Sequence, residues 1–200
     1  MKNVLFSLVA LVSFGLANAQ IKEKGTIEIT PKIGTSSFTE YDEDGNSTKF
    51  NSGVELGATV DYYFNDRWSL RSGLIFDKMG GKYDVGDPYL WEDKLNYMTV
   101  PINANWHFGS TRKWNLNFGL SPSFLLSAKI NDEEIPSNTI ESFQLGLSFG
   151  IGYKIEVTKR FGILVDAQWF NGLTNINNMP ESGEITNGGY SFNLGGVIQL

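Results

Sequence analysis

From residue 27 to its end the chain alternates apolar with polar residues. A period of two commits it to strands with two unlike faces rather than to helices. Eight segments carry the pattern. The first, 27–35, sets Ile27, Ile29 and Ile33 against Glu28, Thr30, Lys32 and Gly34. In 54–64, Val54, Leu56, Ala58, Val60, Tyr62 and Phe64 oppose Glu55, Gly57, Thr59 and Asp61. In 68–77, Trp68, Leu70, Leu74 and Phe76 oppose Ser69, Arg71, Gly73 and Asp77. Segments 97–108, 114–128, 143–157, 161–169 and 190–200 repeat the scheme, with Met98 to Phe108, Trp114 to Leu126, Phe143 to Ile155, Phe161 to Trp169 and Tyr190 to Leu200 as their apolar rows. After residue 20 no stretch has a convincing helical period.

The connections alternate too. Long ones, 37–50, 79–95, 129–142 and 171–189, take turns with short ones, Asn65–Arg67, Gly109–Lys113 and Thr158–Arg160. Strict alternation of long and short is the hairpin pattern of an up-and-down barrel. Charge sorts the same way: the long connections hold 14 of the 22 acidic residues, whereas the tight turns hold five bases and only Asp66 as an acid.

Alternation alone fits a soluble lipocalin-like barrel, apolar inside, or a membrane barrel, apolar outside. The second face separates them. It is Gly, Ser, Asn and Thr with one or two charges per strand, too poor in Lys and Glu for a solvated surface. The apolar face is aromatic at both ends. Tyr62, Phe64, Trp68, Trp106, Phe108, Trp114, Tyr153 and Phe161 lie beside the tight turns, and Phe76, Phe124, Phe143, Trp169 and Tyr190 toward the long loops. Two aromatic girdles around an aliphatic band predict an eight-stranded antiparallel transmembrane β-barrel, with four long extracellular loops and three tight periplasmic turns.

Residues 1–19 read as a secretory signal: Lys2, an apolar stretch from Val4 to Leu16, and Ala17-Asn18-Ala19 before Gln20. The barrel domain then occupies 20–200, and the expected location is the outer membrane. With no Cys and one His, His107, the chain has no disulfide, thiolate metal site or multi-histidine centre. A net charge of −6 argues against sequence-independent nucleic-acid binding.

Three stretches carry a family likeness. They are Tyr97-Met98-Thr99-Val100-Pro101-Ile102, Gly73-Leu74-Ile75-Phe76-Asp77-Lys78-Met79-Gly80 and Gly53-Val54-Glu55-Leu56-Gly57. In these the chain resembles the PorT-like outer-membrane β-barrel proteins of Gram-negative bacteria. The resemblance implies an eight-stranded outer-membrane barrel and, from the founding type, assistance to a secretion system.

Several motifs invite chemical readings. Gly146-Leu147-Ser148-Phe149-Gly150 spells a nucleophile elbow, but that motif needs a strand, a turn and a helix, and here alternation runs through it. His107 points inward near the tight turns, and spacing supplies no inward Ser and carboxylate to complete a triad. Asp42-Glu43-Asp44-Gly45-Asn46 and Asn131-Asp132-Glu133-Glu134 are acidic loops; the first has Gly three residues after its first Asp, where an EF-hand needs five. Pro101 interrupts a strand and predicts a local bulge.

The inward charges are the candidate site: Glu28, Lys32, Glu55, Asp61, Arg71, Asp77, Lys154, Glu156 and Asp166. Symmetric hairpin pairing sets Asp61 across from Arg71, with Asp77 above it, and Lys154 diagonal to Asp166. It also sets Glu55 opposite Asp77, unfavourable unless Lys32 or a water intervenes. We expect a structural network filling the lumen, no catalysis and no cofactor. The expected role is envelope structure, surface interaction or assistance to secretion, by a monomer in contact with outer-membrane lipid and with secretion or envelope proteins. A small low-conductance pore, a lipid-modifying enzyme and a soluble ligand-binding barrel are the alternatives.

Overall fold

A computed structural model describes residues 22–84, 90–136, 138–179 and 183–200. The signal sequence expected over 1–19 lies outside them. The described residues form eleven antiparallel strands and no helix: β1 (Ile27–Asp42), β2 (Lys49–Tyr63), β3 (Trp68–Met79), β4 (Gly81–Asp84), β5 (Leu90–Thr99), β6 (Ile102–Phe108), β7 (Trp114–Ile130), β8 (Glu133–Glu134), β9 (Phe143–Glu156), β10 (Phe161–Gly172) and β11 (Ile185–Gln199).

Eleven strands replace the expected eight for two physical reasons. Pro101 breaks the ladder, so segment 97–108 is divided between β5 and β6, which both pair with β3 on one side and β7 on the other. The long connections also form ladders of their own, β4 with β2 and β5, and β8 with β7. The sheet closes on itself through β1 and β11, from Glu28↔Gln199 to Asp42↔Ile185.

The bulge expected at Pro101 is absent. Register is unchanged across it on both sides: Thr99↔Ser123 continues to Ile102↔Leu120, and Ile75↔Thr99 to Ser72↔Ile102. Val100 donates its N–H to Pro122 O at 2.9 Å, so the missing N–H of Pro101 falls on the β3 side and costs a single rung. The register shift lies instead between Asn96 and Tyr97, against β7.

The tight turns are where the sequence puts them. Asn65 Oδ1 accepts the N–H groups of Arg67 and Trp68, and Thr158 Oγ1 those of Arg160 and Phe161. The third turn bends through positive φ at Gly109 and Arg112. At the other end the strands run on into the expected loops: β1 reaches Asp42, β7 Ile130 and β10 Gly172, while β2 begins at Lys49 and β11 at Ile185.

The wall is inside out. Val54, Leu56, Val60, Leu70, Leu74, Phe118, Leu120, Leu147, Val165 and Leu194 are all exposed, whereas Thr30, Ser69, Asn103, Asn105, Asn117, Ser123 and Asn193 are buried. An apolar surface continuous around a closed sheet is the reverse of what water tolerates. Aromatic rings edge the band. At the tight-turn end Trp68, Trp106, Phe108, Trp114 and Tyr153 touch in sequence, with centroids 4.8–6.2 Å apart. At the opposite end Phe50 meets Tyr190 at 5.6 Å and Phe124 meets Phe143 at 5.6 Å.

Above that upper girdle the polarity reverses. The inward residues Phe38, Met79, Leu95 and Tyr97 are 0–3% exposed and pack with Ile176, from the β10–β11 connection, into an apolar cap. The connection is fixed over the barrel by Glu141 N–H to Ile176 O (2.8 Å) and by an Ile140↔Asn177 bridge.

The two faces of β9 give a direct check. Leu147 points outward, whereas Ser148 Oγ donates to Asn103 Oδ1 at 2.9 Å inside. Leu147→Arg sets a charge on the apolar wall, at a cost of about 2–4 kcal/mol if the wall lies in lipid. Ser148→Asn keeps polar partners. Refolding into detergent micelles, followed on unboiled denaturing gels, should give a much lower folded yield for Leu147→Arg than for Ser148→Asn. Equal yields would overturn the assignment of faces.

Candidate functional site

The nine predicted inward charges occupy successive levels of the lumen. Nearest the tight turns, Lys154 of β9 donates to both Glu28 oxygens of β1 at 2.9 Å. Tyr63 donates to Glu28 Oε2 at 2.9 Å, and Lys22 adds a second ammonium at 3.0 Å from Oε1. Lys154 therefore does not pair with Asp166. Register does place it diagonal to Asp166, since Leu164↔Lys154 and Asp166↔Gly152, but its long stem reaches across the barrel to Glu28. Glu156 sits at the rim, 3.9 Å from Lys113 Nζ.

One level higher, Asp61 and Arg71 are direct register partners, as symmetric pairing about the turn requires. Arg71 Nε and Nη2 each lie 3.1 Å from Asp61 Oδ2, and Nη1 reaches Asp166 Oδ2 at 4.0 Å. Ser69 and Asn105 also donate to Asp61 Oδ1, at 2.9 and 2.8 Å. The second acid on Arg71 is thus Asp166, across the lumen, and not Asp77 above it on the same strand. Asp77 stands beside Glu55 instead. Lys32 supplies the intervening cation that this pair needs, with Nζ 2.5 Å from Glu55 Oε1.

The lumen is crowded enough to dictate residue size. A β-carbon on Gly119 would overlap the Ile102 carbonyl and the Asn103 backbone, which cannot move aside, so β7 carries glycine there. Among the described residues, a cavity of about 60 Å³ is lined by Lys32, Glu55, Asp77, Arg71 and Asp166 among others, room for a few waters. It lies between the ion pairs below and the apolar cap above.

The structure brings together a serine, a histidine and a carboxylate that spacing along the chain did not reveal. Ser69 Oγ lies 2.9 Å from His107 Nε2 and 2.9 Å from Asp61 Oδ1. The order is wrong for nucleophilic catalysis. The carboxylate accepts from the serine, so the hydroxyl directs its one hydrogen at Asp61, and toward His107 Nε2 the serine oxygen can only accept. All three are buried, and His107 stacks on Tyr63 at 4.7 Å. Ser148, the other candidate nucleophile, sits within β9 between Ser121 and Asn103, and the strand runs on past it to Glu156.

Neither acidic loop is arranged as a cation loop. Asp42 Oδ1 accepts the N–H groups of Asp44 and Asn46, and Oδ2 the Asn46 amide, so its carboxylate builds the turn. These hydrogen bonds hold it below the usual carboxylate range. Asn131 and Asp132 form the β7–β8 turn at positive φ, and Asp132 Oδ1 takes Lys94 at 2.6 Å.

In the cap, Glu40 is 3% exposed and accepts from the Tyr83 hydroxyl. Burial pushes its carboxyl up to about 7; the Tyr83 hydrogen bond opposes this and the nearby Asp93 adds to it. Asp93 is raised by burial to about 6. Sequence reasoning missed Glu40, Tyr63, Ser69 and Lys22 as network members. Parity was the available signal for the first three, since Glu40 shares the inward parity of Glu28, Tyr63 that of Asp61, and Ser69 that of Arg71.

Comparison with known proteins agrees with this architecture. The family model described as "Outer membrane protein beta-barrel domain" matches residues 18–178. A 64-residue stretch is 34% identical to the 31 kDa outer-membrane immunogenic protein of Brucella melitensis biotype 1, and equally to that of Brucella suis biovar 1. The match takes in 31% of this chain and spans about a quarter (26%) of those relatives' length. Among solved structures, Neisserial surface protein A (NspA) is similar with a TM-score of 0.53 and 13% identity, covering 86% of this chain and 97% of that one. The outer membrane protein OprG from Pseudomonas aeruginosa is similar with a TM-score of 0.51 and 15% identity, covering 89% and 97%. At these identities the likeness is one of fold.

Two measurements test the site. Arg71→Ala strands Asp61 and Asp166 inside the barrel, a loss of roughly 3–5 kcal/mol, whereas Arg67→Ala touches a turn residue. In urea titrations of the micelle-folded chain, Arg71→Ala should lower the midpoint far more than Arg67→Ala; equal midpoints would refute the network. Glu40 acts through pH. Its folded value lies above the ordinary 4.5, so its contribution is complete below pH 4.5 and is lost as pH rises toward 7. The loss is on the order of 3 kcal/mol. Glu40→Gln should flatten the pH dependence of the midpoint between pH 4.5 and 7, and an unchanged profile would show that Glu40 is not the group responsible.

Proposed function

Because the chain belongs to the outer-membrane protein β-barrel domain family, we propose that it is a small, plugged barrel of the outer membrane with a non-catalytic envelope role. The observation that carries this reading is the closure of the lumen at every level. The Glu28–Lys154 group, the Asp61–Arg71–Asp166 group, the Lys32–Glu55 pair and the apolar cap follow one another along the axis, with a cavity of about 60 Å³ between them. A barrel filled in this way offers neither a conduit nor a ligand chamber.

In this reading β5 and β6 are one stave, β4 and β8 lie outside the circuit, and eight staves cross the membrane. An even number returns both termini to one side, the periplasm, with the tight turns; the capped end faces out. The reversed Asp61–Ser69–His107 order supports a role without catalysis, and the apolar outer wall speaks against a soluble lipocalin-like barrel. The PorT-like motifs support assistance to secretion or contact with other envelope proteins, by a monomer surrounded by lipid.

Planar bilayers and cell-surface labelling test the two halves of this proposal. The purified chain should show little or no steady conductance, with any leak favouring cations. An epitope inserted in 171–189 should be labelled on intact cells, and one at Lys159 only after permeabilisation. A large, stable, anion-selective channel would refute the plugged lumen, and labelling of the Lys159 epitope on intact cells would reverse the orientation.

A further inference from the structure

One inward acid lacks a base. Glu28 has Lys154 and Lys22, Glu55 has Lys32, Asp61 and Asp166 share Arg71, and Glu156 has Lys113, all within 4.0 Å. Among the described residues no lysine or arginine comes within that distance of Asp77.

The neighbour that Asp77 does have is another acid. Leu56 and Phe76 are register partners on the outer wall, so the next residues along β2 and β3, Glu55 and Asp77, stand side by side inside it. The single ammonium of Lys32 serves both carboxylates. Glu55 is 3% and Asp77 8% exposed, and Phe38, Ile75 and Phe170 line the same chamber, so water screens the surplus charge poorly. A buried carboxylate without a counter-charge is costly enough that the pair must gain one more positive charge.

That charge is either a proton or an ion, and the cavity favours the ion. A proton shared by Glu55 and Asp77 would balance the charge, but it would fill none of the space of about 60 Å³ beside them. It would also leave buried oxygens unanswered. Asp77 Oδ1, Asp166 Oδ1 and Thr59 Oγ1 belong to side chains lining this cavity and have no hydrogen-bond partner, and carboxylate oxygens only accept. Asn117 Nδ2 is the unpartnered donor among the lining groups. A hard cation takes oxygen ligands, and one with a few waters fits the volume. Among the described residues no three acidic or histidine side chains converge as a site for a metal ion, and the deficit is a single charge, so the ion is monovalent.

We propose that Glu55 and Asp77 bind one alkali-metal cation in the polar chamber beneath the apolar cap, with water completing its shell. The site rests on the closed lumen proposed above and makes the ion part of the plug rather than something that passes through it.

The test uses the full mature chain refolded into dodecyl maltoside micelles in NaCl, KCl or choline chloride at equal ionic strength, since choline is too large for the cavity. An ion at ten times its dissociation constant lowers the unfolding constant about elevenfold. Urea titrations should therefore give an unfolding constant about tenfold lower in at least one alkali salt than in choline chloride. Asp77→Asn and Glu55→Gln each leave one carboxylate for Lys32, and either should abolish the difference, whereas Glu156→Gln, at the rim, should keep it. The sodium-23 resonance should be broadened by the wild-type barrel beyond empty micelles and not by Asp77→Asn, an effect that a purely structural pair would not give. Equal unfolding constants in the three salts would overturn the proposal, as would an undiminished alkali preference in Asp77→Asn or Glu55→Gln. A dependence on pH without preference among the salts would put a proton on Asp77 and overturn it equally. A large steady conductance in planar bilayers would instead overturn the closed lumen on which the site rests.

Discussion

A strand in hydrocarbon finds no water for its N–H and C=O groups, and the rest of this structure depends on the closed circuit that satisfies them. The closure is made by the first and last strands. β1 and β11 pair over the whole length of β1 from Glu28 to Asp42, so the most distant parts of the sequence form one of its longest ladders. Once the sheet is closed, parity does the remaining work. One set of side chains faces the narrow lumen and must be small or mutually satisfied; the other faces outward and must be apolar. Gly119 against the Ile102 carbonyl and Leu120 on the outer wall are neighbours in one strand under opposite demands.

The lumen network ties walls that the sheet does not connect. Lys154 on β9 reaches Glu28 on β1, and Arg71 on β3 reaches Asp166 on β10. Buried ion pairs add little net stability, because desolvation offsets most of their attraction, but breaking one is costly. Their contribution here is to register. Slipping β2 against β3 by one residue would turn Asp61 or Arg71 onto the apolar wall, and the partner would be stranded inside. The network also makes a two-residue slip expensive, which matters because such a slip leaves the outer face as apolar as before.

The sequence was legible where the environment changes on a period of two and fell silent where that period meets a new solvent. The wall, its girdles and its tight turns could be read because lipid and lumen impose opposite demands on alternate residues. The pair Asp61–Arg71 could be read because a hairpin's symmetry sets it. Partners across the lumen could not, since the meeting of Lys154 with Glu28 depends on barrel width and side-chain reach, which no local pattern encodes. Strand ends were misread for a related reason. Phe38, Met79, Leu95 and Tyr97 continue the inward parity but are apolar, so the pattern appears to stop at residue 35 or 77 while the strands run on. Pro101 suggested a bulge because its lost donor is visible in sequence, whereas Val100 bonding to Pro122 is not.

That change of sign within one strand accounts for most of how the barrel is stoppered, with Ile176 of the β10–β11 connection completing the cap. Below the upper girdle β1 carries apolar residues outward and Glu28, Thr30 and Lys32 inward. Above it Phe38 turns inward, because the outer surface there meets water and an apolar interior is again the stable arrangement. The cap is therefore an ordinary soluble core stacked on an inverted one, and the same strands belong to both. Each half depends on a different solvent, the wall on lipid and the cap on water, so the depth at which the chain sits is set by where its strands change sign. Lys78, one outward position above Phe76, marks that depth on β3. A barrel coded in this way needs no further anchor to fix its height in the membrane, because moving it by one tier in either direction exposes the wrong face of every stave at once.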